Sequence, residues 1–245
     1  MTATNKTALV TGASRGIGAA IAERLAADGF TVIINYSGNA RDAEAMASKI
    51  EKAGGRATTA QADVTDPSAV ARMFDAAEAA FGGVDVLVNN AGVMHPQPLA
   101  ETDDKSFDSH LAVNLKGTFN TLREATKRVR EGGRIINMSS SQAVMLFPGY
   151  GVYAATKAAV EAMTHVLSKE LRGRNITVNA VAPGPIATKL FFDGKSQQVI
   201  DNFKKLSPLE RLGQPEDVAN TVAFLAGPDG GWINGQVLRA NGGII

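Results

Sequence analysis

The sequence predicts a doubly wound α/β fold: a parallel sheet of about seven strands with helices on both faces. Three observations predict it. Short apolar runs alternate with longer helical patterns, a glycine-rich turn follows the first run, and no linker divides the 245 residues. Residues 7–11 form the first run, too short for an independent helix and therefore read as a strand. Residues 16–28 follow with apolar positions at three- and four-residue spacing, the stripe of a helix packed on a sheet. The couplet recurs as 31–35 with 40–53, a weaker strand at 56–61 with 67–81, 84–89 with 102–130, and 134–138 with 152–172. Residues 176–181 make a further strand, and 215–226 the last helix. Strands separated by helices need crossovers, which are right-handed within one sheet, so the sheet is parallel and covered on both faces. The irregular stretch from 183 to about 208 holds three prolines, two glycines and a short amphipathic piece, 197–206. It reads as a lid at about 185–208 on a single Rossmann-type domain spanning 1–245.

Composition narrows the function. With 25 Lys and Arg against 24 Asp and Glu, the net charge of +1 gives no basic face for nucleic acid or an anionic membrane. The absence of cysteine removes disulfides, zinc-thiolate sites and thiol nucleophiles, and suits a reducing compartment. Residues 1–6 run directly into the first strand without the apolar segment of a secretory signal, so a cytoplasmic protein is expected. No stretch approaches the roughly 18 apolar residues of a membrane-spanning helix. His95, His110 and His165 lack metal-ligand spacing, so no metal centre is expected.

The turn after the first strand, Thr11-Gly-Ala-Ser-Arg-Gly-Ile-Gly18, places Gly12, Gly16 and Gly18 where a strand passes into a helix. Glycines let the backbone approach a pyrophosphate, and the helix N-terminus offers N–H groups and positive dipole to its charge. Ser14, Arg15 and Ile17 belong to the same turn. A carboxylate at the end of the second strand would bond a ribose 2′-hydroxyl and repel a 2′-phosphate. Here that end reads Asn35-Tyr36-Ser37, with no acid before Asp42, and Arg15 is positioned to face a 2′-phosphate with Asn35 and Ser37 adding hydrogen bonds. NADP(H) is therefore the expected cofactor. A solvated surface role for Arg15 is the alternative.

Further along stand Asn89-Asn-Ala-Gly92, Asn114, Ser139-Ser140-Ser141, Tyr153-Ala-Ala-Thr-Lys157 and Pro183-Gly184. Thirteen residues separate Ser140 from Tyr153, and four separate Tyr153 from Lys157. With the glycine turn, this ordered set resembles the short-chain dehydrogenase/reductase superfamily over essentially the whole chain. The chemistry is legible in the residue types. Reducing a ketone needs a hydride from a nicotinamide and a proton for the developing alkoxide. Tyr153 can supply that proton, and a Lys157 ammonium one turn away on the same helical face favours the phenolate.

The resemblance implies that Ser140 polarises the substrate carbonyl, with Ser139 and Ser141 as alternatives. It also implies that Asn114 helps hold a water leading to Lys157; a buried Asn at a helix kink is its structural alternative. The same resemblance assigns Asp63 and Val64 to the adenine, Asn90, Ala91 and Gly92 to the ribose, Lys157 to the nicotinamide ribose with Tyr153 also at the cofactor, and Pro183, Gly184, Ile186 and Thr188 to the nicotinamide. A purely structural role for 89–92 is equally open. His95 lies at the sheet rim, where it either touches substrate or is a solvated loop residue.

The expected activity is that of a carbonyl reductase or alcohol dehydrogenase acting on a small-molecule ketone or alcohol. The alternatives are an oxoacyl-carrier-protein reductase docking an acidic carrier through Arg128, Arg172 and Arg174, and a non-catalytic dinucleotide-binding regulator. Phe147, Tyr150, Phe191 and Phe192 would add aromatic walls if they face the cleft. A homotetramer is expected from the resemblance, using helices near 102–130 and 152–172 and the C-terminal segment.

Overall fold

The computed structural model describes residues 6–245; residues 1–5, on which the reading of a leaderless N-terminus partly rests, lie outside the described residues. In chain order the main elements are β1 (Thr7–Val10), α1 (Gly16–Ala27), β2 (Thr31–Tyr36), α2 (Ala40–Lys52), β3 (Arg56–Gln61) and α3 (Pro67–Phe81). Then come β4 (Val84–Asn89), α4 (Asp104–His110), α5 (Thr118–Arg128), β5 (Val129–Met138), α6 (Gln142–Met145) and α7 (Gly151–Glu170). The chain finishes with β6 (Thr177–Pro183), α8 (Lys189–Phe192), α9 (Gln197–Leu206), α10 (Pro215–Ala226) and β7 (Val237–Ala240). All neighbouring strands are parallel in the seven-stranded order β3-β2-β1-β4-β5-β6-β7. The order reverses between β1 and β4, and open α/β sheets bind ligands outside the strand C-termini at such a reversal.

Alternation along each strand divides the core into two layers. Ala8, Val10, Val32, Ile34, Val86 and Val88 pack with Ile21 and Leu25 of α1 and Val218 and Val222 of α10. Their neighbours Leu9, Ile33, Leu87 and Ile135 face Phe74 of α3, Leu122 of α5 and Leu167 of α7. Asn39 and Asp66 cap α2 and α3 by accepting from Arg41 N and Ser68 N, so both helices start where the sequence offers an acceptor.

Two predicted elements differ in detail. The segment 102–130 is not one helix: α4 passes into a π-helical stretch, Leu111–Gly117, before α5, and the chain leaves α5 at Arg128. β5 therefore begins at Val129, five residues before the predicted strand. Val129 pairs with Val84 and Arg134 with Val86, and the residues between them bulge at Gly132, whose φ is +75°. Gly133 permits the bulge, since a Cβ there would lie 2.7 Å from the carbonyl oxygen of Asp85. β7 completes the sheet from the C-terminal segment, too short a run to stand out as periodic. The irregular region beyond Pro183 contains α8 and α9 around a small cluster of Phe191, Ile200 and Leu212. Among the described residues no helix is long and apolar enough to cross a membrane.

Candidate active site

A cavity of about 710 Å³ opens outside the C-terminal ends of β1, β2, β4, β5 and β6. The candidates Gly12, Ser14, Arg15, Gly16, Ile17, Gly18, Asn35, Tyr36, Ser37, Asp63, Val64 and Asn90 to Gly92 line it. So do Ser140, Tyr153, Lys157, Pro183, Gly184, Ile186 and Thr188. Asn114 lies behind this wall, and His95 is exposed outside it.

The floor is the glycine turn. Gly12 has a φ of +61°, and a Cβ on it would come 3.1 Å from Ala91 Cα. A Cβ on Gly18 would come 2.5 Å from both Asn90 Nδ2 and the Gly12 carbonyl oxygen, so only glycine lets the two loops meet. Asn90 fastens them: Nδ2 donates to the Thr11 and Gly12 carbonyls at 2.9 and 3.1 Å. Asn35 does the same from the other side, accepting from Gly12 N at 3.2 Å and donating to the Ala60 and Ala62 carbonyls at 3.2 and 3.0 Å.

This corrects the expectation that Asn35 donates to a 2′-phosphate: both amide hydrogens are spent on backbone carbonyls, leaving none for a phosphate. Asn90 is likewise without a free side-chain donor, and its backbone N–H is held by Thr11 Oγ1 at 2.9 Å. Asn89 is turned into the core, donating to Asn137 Oδ1 at 2.8 Å. Arg15, which is exposed, and Ser37 both line the cavity, and so does Asp42, a carboxylate to which the sequence reading gave no part in the cleft.

At the inner end α7 places Tyr153 and Lys157 one turn apart. Lys157 is buried; its Nζ donates to the Met138 carbonyl at 2.7 Å and lies 5.8 Å from the Tyr153 ring centroid. Burial pulls its ammonium down from the ordinary 10.5 to about 8. Burial also pushes the Tyr153 phenol up, a hydrogen bond with Ser140 opposes that, and Tyr150 adds to it. In this cleft, desolvation rather than the lysine charge dominates the tyrosine.

The three serines separate by their partners. Ser139 Oγ donates to Glu161 Oε1 at 2.6 Å, and Ser141 Oγ accepts from Asn241 Nδ2 at 3.1 Å. Ser140 Oγ accepts from Gln142 N at 3.2 Å and is the serine that draws the Tyr153 phenol down.

Asn114 sits in the π-helical stretch, fully buried. Its Oδ1 accepts from Val93 N at 2.8 Å, while Nδ2 donates to the Val93 carbonyl at 2.9 Å and to Thr156 Oγ1 at 3.3 Å. The side chain thus has the geometry of the structural alternative and keeps no N–H for a water. Gly92 keeps the space beside it open, because a Cβ there would sit 3.2 Å from Asn114 Oδ1 and 3.7 Å from Lys157 Nζ.

The remaining wall is apolar: Met94, Met145, Tyr150, Leu190, Phe191 and Phe203 face the cavity, with Gln142 among them. Phe147 stands behind Phe203, with centroids 6.4 Å apart, and Phe192 turns outward, so two of the four expected aromatics form no part of the lining. Met94, Gln142 and Phe203 were not singled out from the sequence, because no spacing rule ties them to the cleft.

The chain is similar to known proteins over nearly its whole length. A family model described as enoyl-(acyl carrier protein) reductase matches residues 12–245. A short-chain type dehydrogenase/reductase of Picea abies is 52% identical, the match covering 98% of this chain and 92% of that protein. An NADPH-dependent aldehyde reductase-like protein, chloroplastic, of Arabidopsis thaliana is 48% identical over 98% of this chain and 94% of its own length. A 3-oxoacyl-acyl-carrier-protein reductase of Staphylococcus aureus is 42% identical over 98% of both. Among solved structures, a short chain dehydrogenase from Burkholderia cenocepacia in complex with NADP superposes with a TM-score of 0.93. It shares 41% identity and covers 99% of this chain and 98% of that one.

The depressed Lys157 ammonium has a measurable consequence. Its proton is held less tightly in the folded chain than in the unfolded one, so the cost is fully present below pH 8 and is relieved as pH rises from about 8 to 10.5. Against Lys157→Met, the wild type should therefore gain up to about 3 kcal/mol of relative stability between pH 7 and pH 10. Denaturant melts of both proteins at the two pH values check this, and a difference independent of pH contradicts it.

Proposed function

Because the chain belongs to the short-chain dehydrogenase/reductase superfamily, we propose that it is an NADP(H)-dependent carbonyl reductase interconverting hydrophobic ketones and secondary alcohols. The observation that carries the reading is the convergence of Ser140, Tyr153 and Lys157 on the cavity floored by the glycine turn.

The residues fit a dinucleotide. Gly16, the first residue of α1, has a φ of +59°, and a Cβ there would meet only Thr188 Cγ2 at 3.8 Å, so bare backbone lies where a pyrophosphate needs close approach. Gly12, Ser14, Gly16, Ile17 and Gly18 would hold the pyrophosphate, and Arg15 and Ser37 the 2′-phosphate beside Tyr36. Asp63 and Val64 would meet the adenine, Ala91 and Gly92 the ribose, and Pro183, Gly184, Ile186 and Thr188 the nicotinamide. When bound, the nicotinamide supplies the hydride.

Tyr153 Oη gives its proton to the carbonyl oxygen, and the raised phenol keeps that proton in place at neutral pH until the alkoxide develops. The Ser140 hydroxyl donates to the same oxygen and polarises it. Lys157, fixed by Met138, holds positive charge below the phenolate that remains, and so favours the later state. To restore the phenol, Lys157 passes a proton to the Tyr153 phenolate and takes one from solvent water at the space beside Gly92, which Asn114 borders.

The carrier-protein alternative is favoured by the Staphylococcus aureus relative. Two of its three docking arginines are committed elsewhere. Arg128 bonds Asp75, Glu78 and Glu124, and Arg174 donates to the Thr126 and Val129 carbonyls, leaving Arg172 exposed. The apolar wall from Met94 to Phe203 suits a ring-bearing ketone better.

The region 185–208 is proposed as the lid over that wall on a single domain, since Leu190, Phe191 and Phe203 reach the cavity from it. A homotetramer in the cytoplasm is the proposed state. Phe119 of α5, Val166 of α7 and Trp232 near the C-terminus are exposed apolar groups on the expected faces, and Trp232 is 98% exposed.

Tyr153→Phe should lower kcat for ketone reduction by at least about 10²-fold with NADPH affinity unchanged, as steady-state assays and fluorescence titration would report. NADPH should be preferred to NADH, and Arg15→Ala should weaken NADPH binding about ten- to a hundredfold while leaving NADH binding alone. Titrating both cofactors checks this; equal kcat/KM for the two in the wild type rules it out. An aromatic ketone should outperform an acetoacetyl carrier-protein thioester in kcat/KM. A thioester lead above about tenfold that shrinks with salt would establish the alternative.

A further inference from the structure

His110 ends α4, one helical turn before Asn114, and its ring is 1% exposed. Nδ1 lies 2.8 Å from the Ser106 carbonyl, which can only accept, and Nε2 lies 3.1 Å from His95 N, which can only donate. The pairing fixes the ring as the neutral tautomer protonated on Nδ1. His110, the last residue of α4, and Asn114, in the π-helical stretch that follows, both reach one segment, residues 93–95. Between them they make three hydrogen bonds to the backbone of Val93 and His95. Met94, held between the two anchored residues, belongs to the cavity wall. The His110 ring also meets the Tyr153 ring edge-on, with centroids 6.3 Å apart and planes at 71°, and the His95 ring at 5.5 Å.

We propose that His110 is a positioning residue: it clamps His95 N and backs the Tyr153 ring, fixing the Met94 wall relative to the proton donor and so seating the ketone. An aliphatic residue would fill the space without accepting from His95 N, and a glutamine would accept without presenting a ring to Tyr153. The two contacts are therefore separable. The inference rests on the reductase reading above and concerns the substrate half of the cleft, because the contacts of His110 are with Ser106, His95 and the proton donor Tyr153.

The test compares wild type, His110→Phe and His110→Gln in NADPH affinity, in kcat and KM for an aromatic ketone, and in amide hydrogen exchange over residues 93–95. His110→Phe, which keeps a ring and loses the acceptor, should speed exchange there and raise ketone KM about tenfold, with NADPH affinity within about twofold of wild type. His110→Gln should recover slow exchange and much of the KM while lowering kcat, because Tyr153 loses its support. Unchanged exchange and ketone KM in His110→Phe overturn the proposal. Parallel losses of NADPH and ketone binding also overturn it, since they mark a general loosening. If His110→Phe does not fold, His110→Gln decides: a lowered kcat at near-normal ketone KM supports the proposal, and an unchanged kcat overturns it. A wild type that turns over no ketone removes the reductase reading, while exchange over 93–95 still decides whether the clamp exists.

Discussion

The close approach of the β1–α1 turn to the loop after β4 is the constraint on which the cleft depends. The two segments leave adjacent strands at the point where the sheet order reverses, and there Gly12 has only 3.1 Å between a hypothetical Cβ and Ala91. Apolar burial contributes little at so tight a contact, since glycine and alanine are what meet there. Hydrogen bonds do. Thr11 Oγ1 accepts from Asn90 N and Ala91 N at 2.9 and 3.0 Å, and the Asn90 amide returns two bonds to the turn. Because these groups are partly or wholly buried, each left unpaired would cost about 1–3 kcal/mol. The floor of the cleft is therefore shaped by polar pairing on a platform set by the two apolar layers.

The inner end is governed by the opposite circumstance, a charge kept where water is scarce. Lys157 has one carbonyl, that of Met138, and a tyrosine ring for company; no carboxylate partner is among its contacts. A surface lysine would be easier to fold, and the depressed ammonium records the difference. Its position makes sense only with respect to what happens beside it. In the proposed reaction the negative charge that appears on Tyr153 is the missing partner, so the folded protein carries a cost that the reaction relieves.

Much of this was legible in the sequence because the responsible signals are local. The strand and helix rhythm follows from alternation and 3.6-residue periodicity, and Tyr153 and Lys157 must share a face at i and i+4. What escaped is decided by partners distant in sequence. Asn35, at the end of the second strand, looked like a phosphate donor; Ala60 and Ala62, from the next strand and its exit, take both its hydrogens. The resemblance singled out Ser140, whereas the residue types of 139–141 alone did not; Glu161 and Asn241, 22 and 100 residues from Ser139 and Ser141, engage its two neighbours. The π-helical stretch 111–117 adds a register step that apolar spacing does not register, yet it turns Asn114 toward Val93. Arg128 and Arg174 read as a basic face, whereas acids from α3 and α5 and the carbonyls of 126 and 129 absorb them.

These partnerships also divide the cleft into halves of different stiffness. The half under the glycine turn is built from strand ends and backbone-to-amide bonds, where a one-atom change such as a Cβ at Gly18 meets atoms at 2.5 Å. The other half is walled by α6 and α8, four residues each, and by α9, which rests on a small cluster of Phe191, Ile200 and Leu212. Elements so short gain little from their own hydrogen bonds and depend on side-chain packing for their placement. Substitutions there alter the shape of the wall without disturbing the two core layers. Substitutions in the floor disturb both. A scaffold arranged in this way can hold one dinucleotide geometry constant while the apolar side changes to suit different substrates, and the clamp from α4 onto Val93 and His95 is where the rigid half reaches into the variable one.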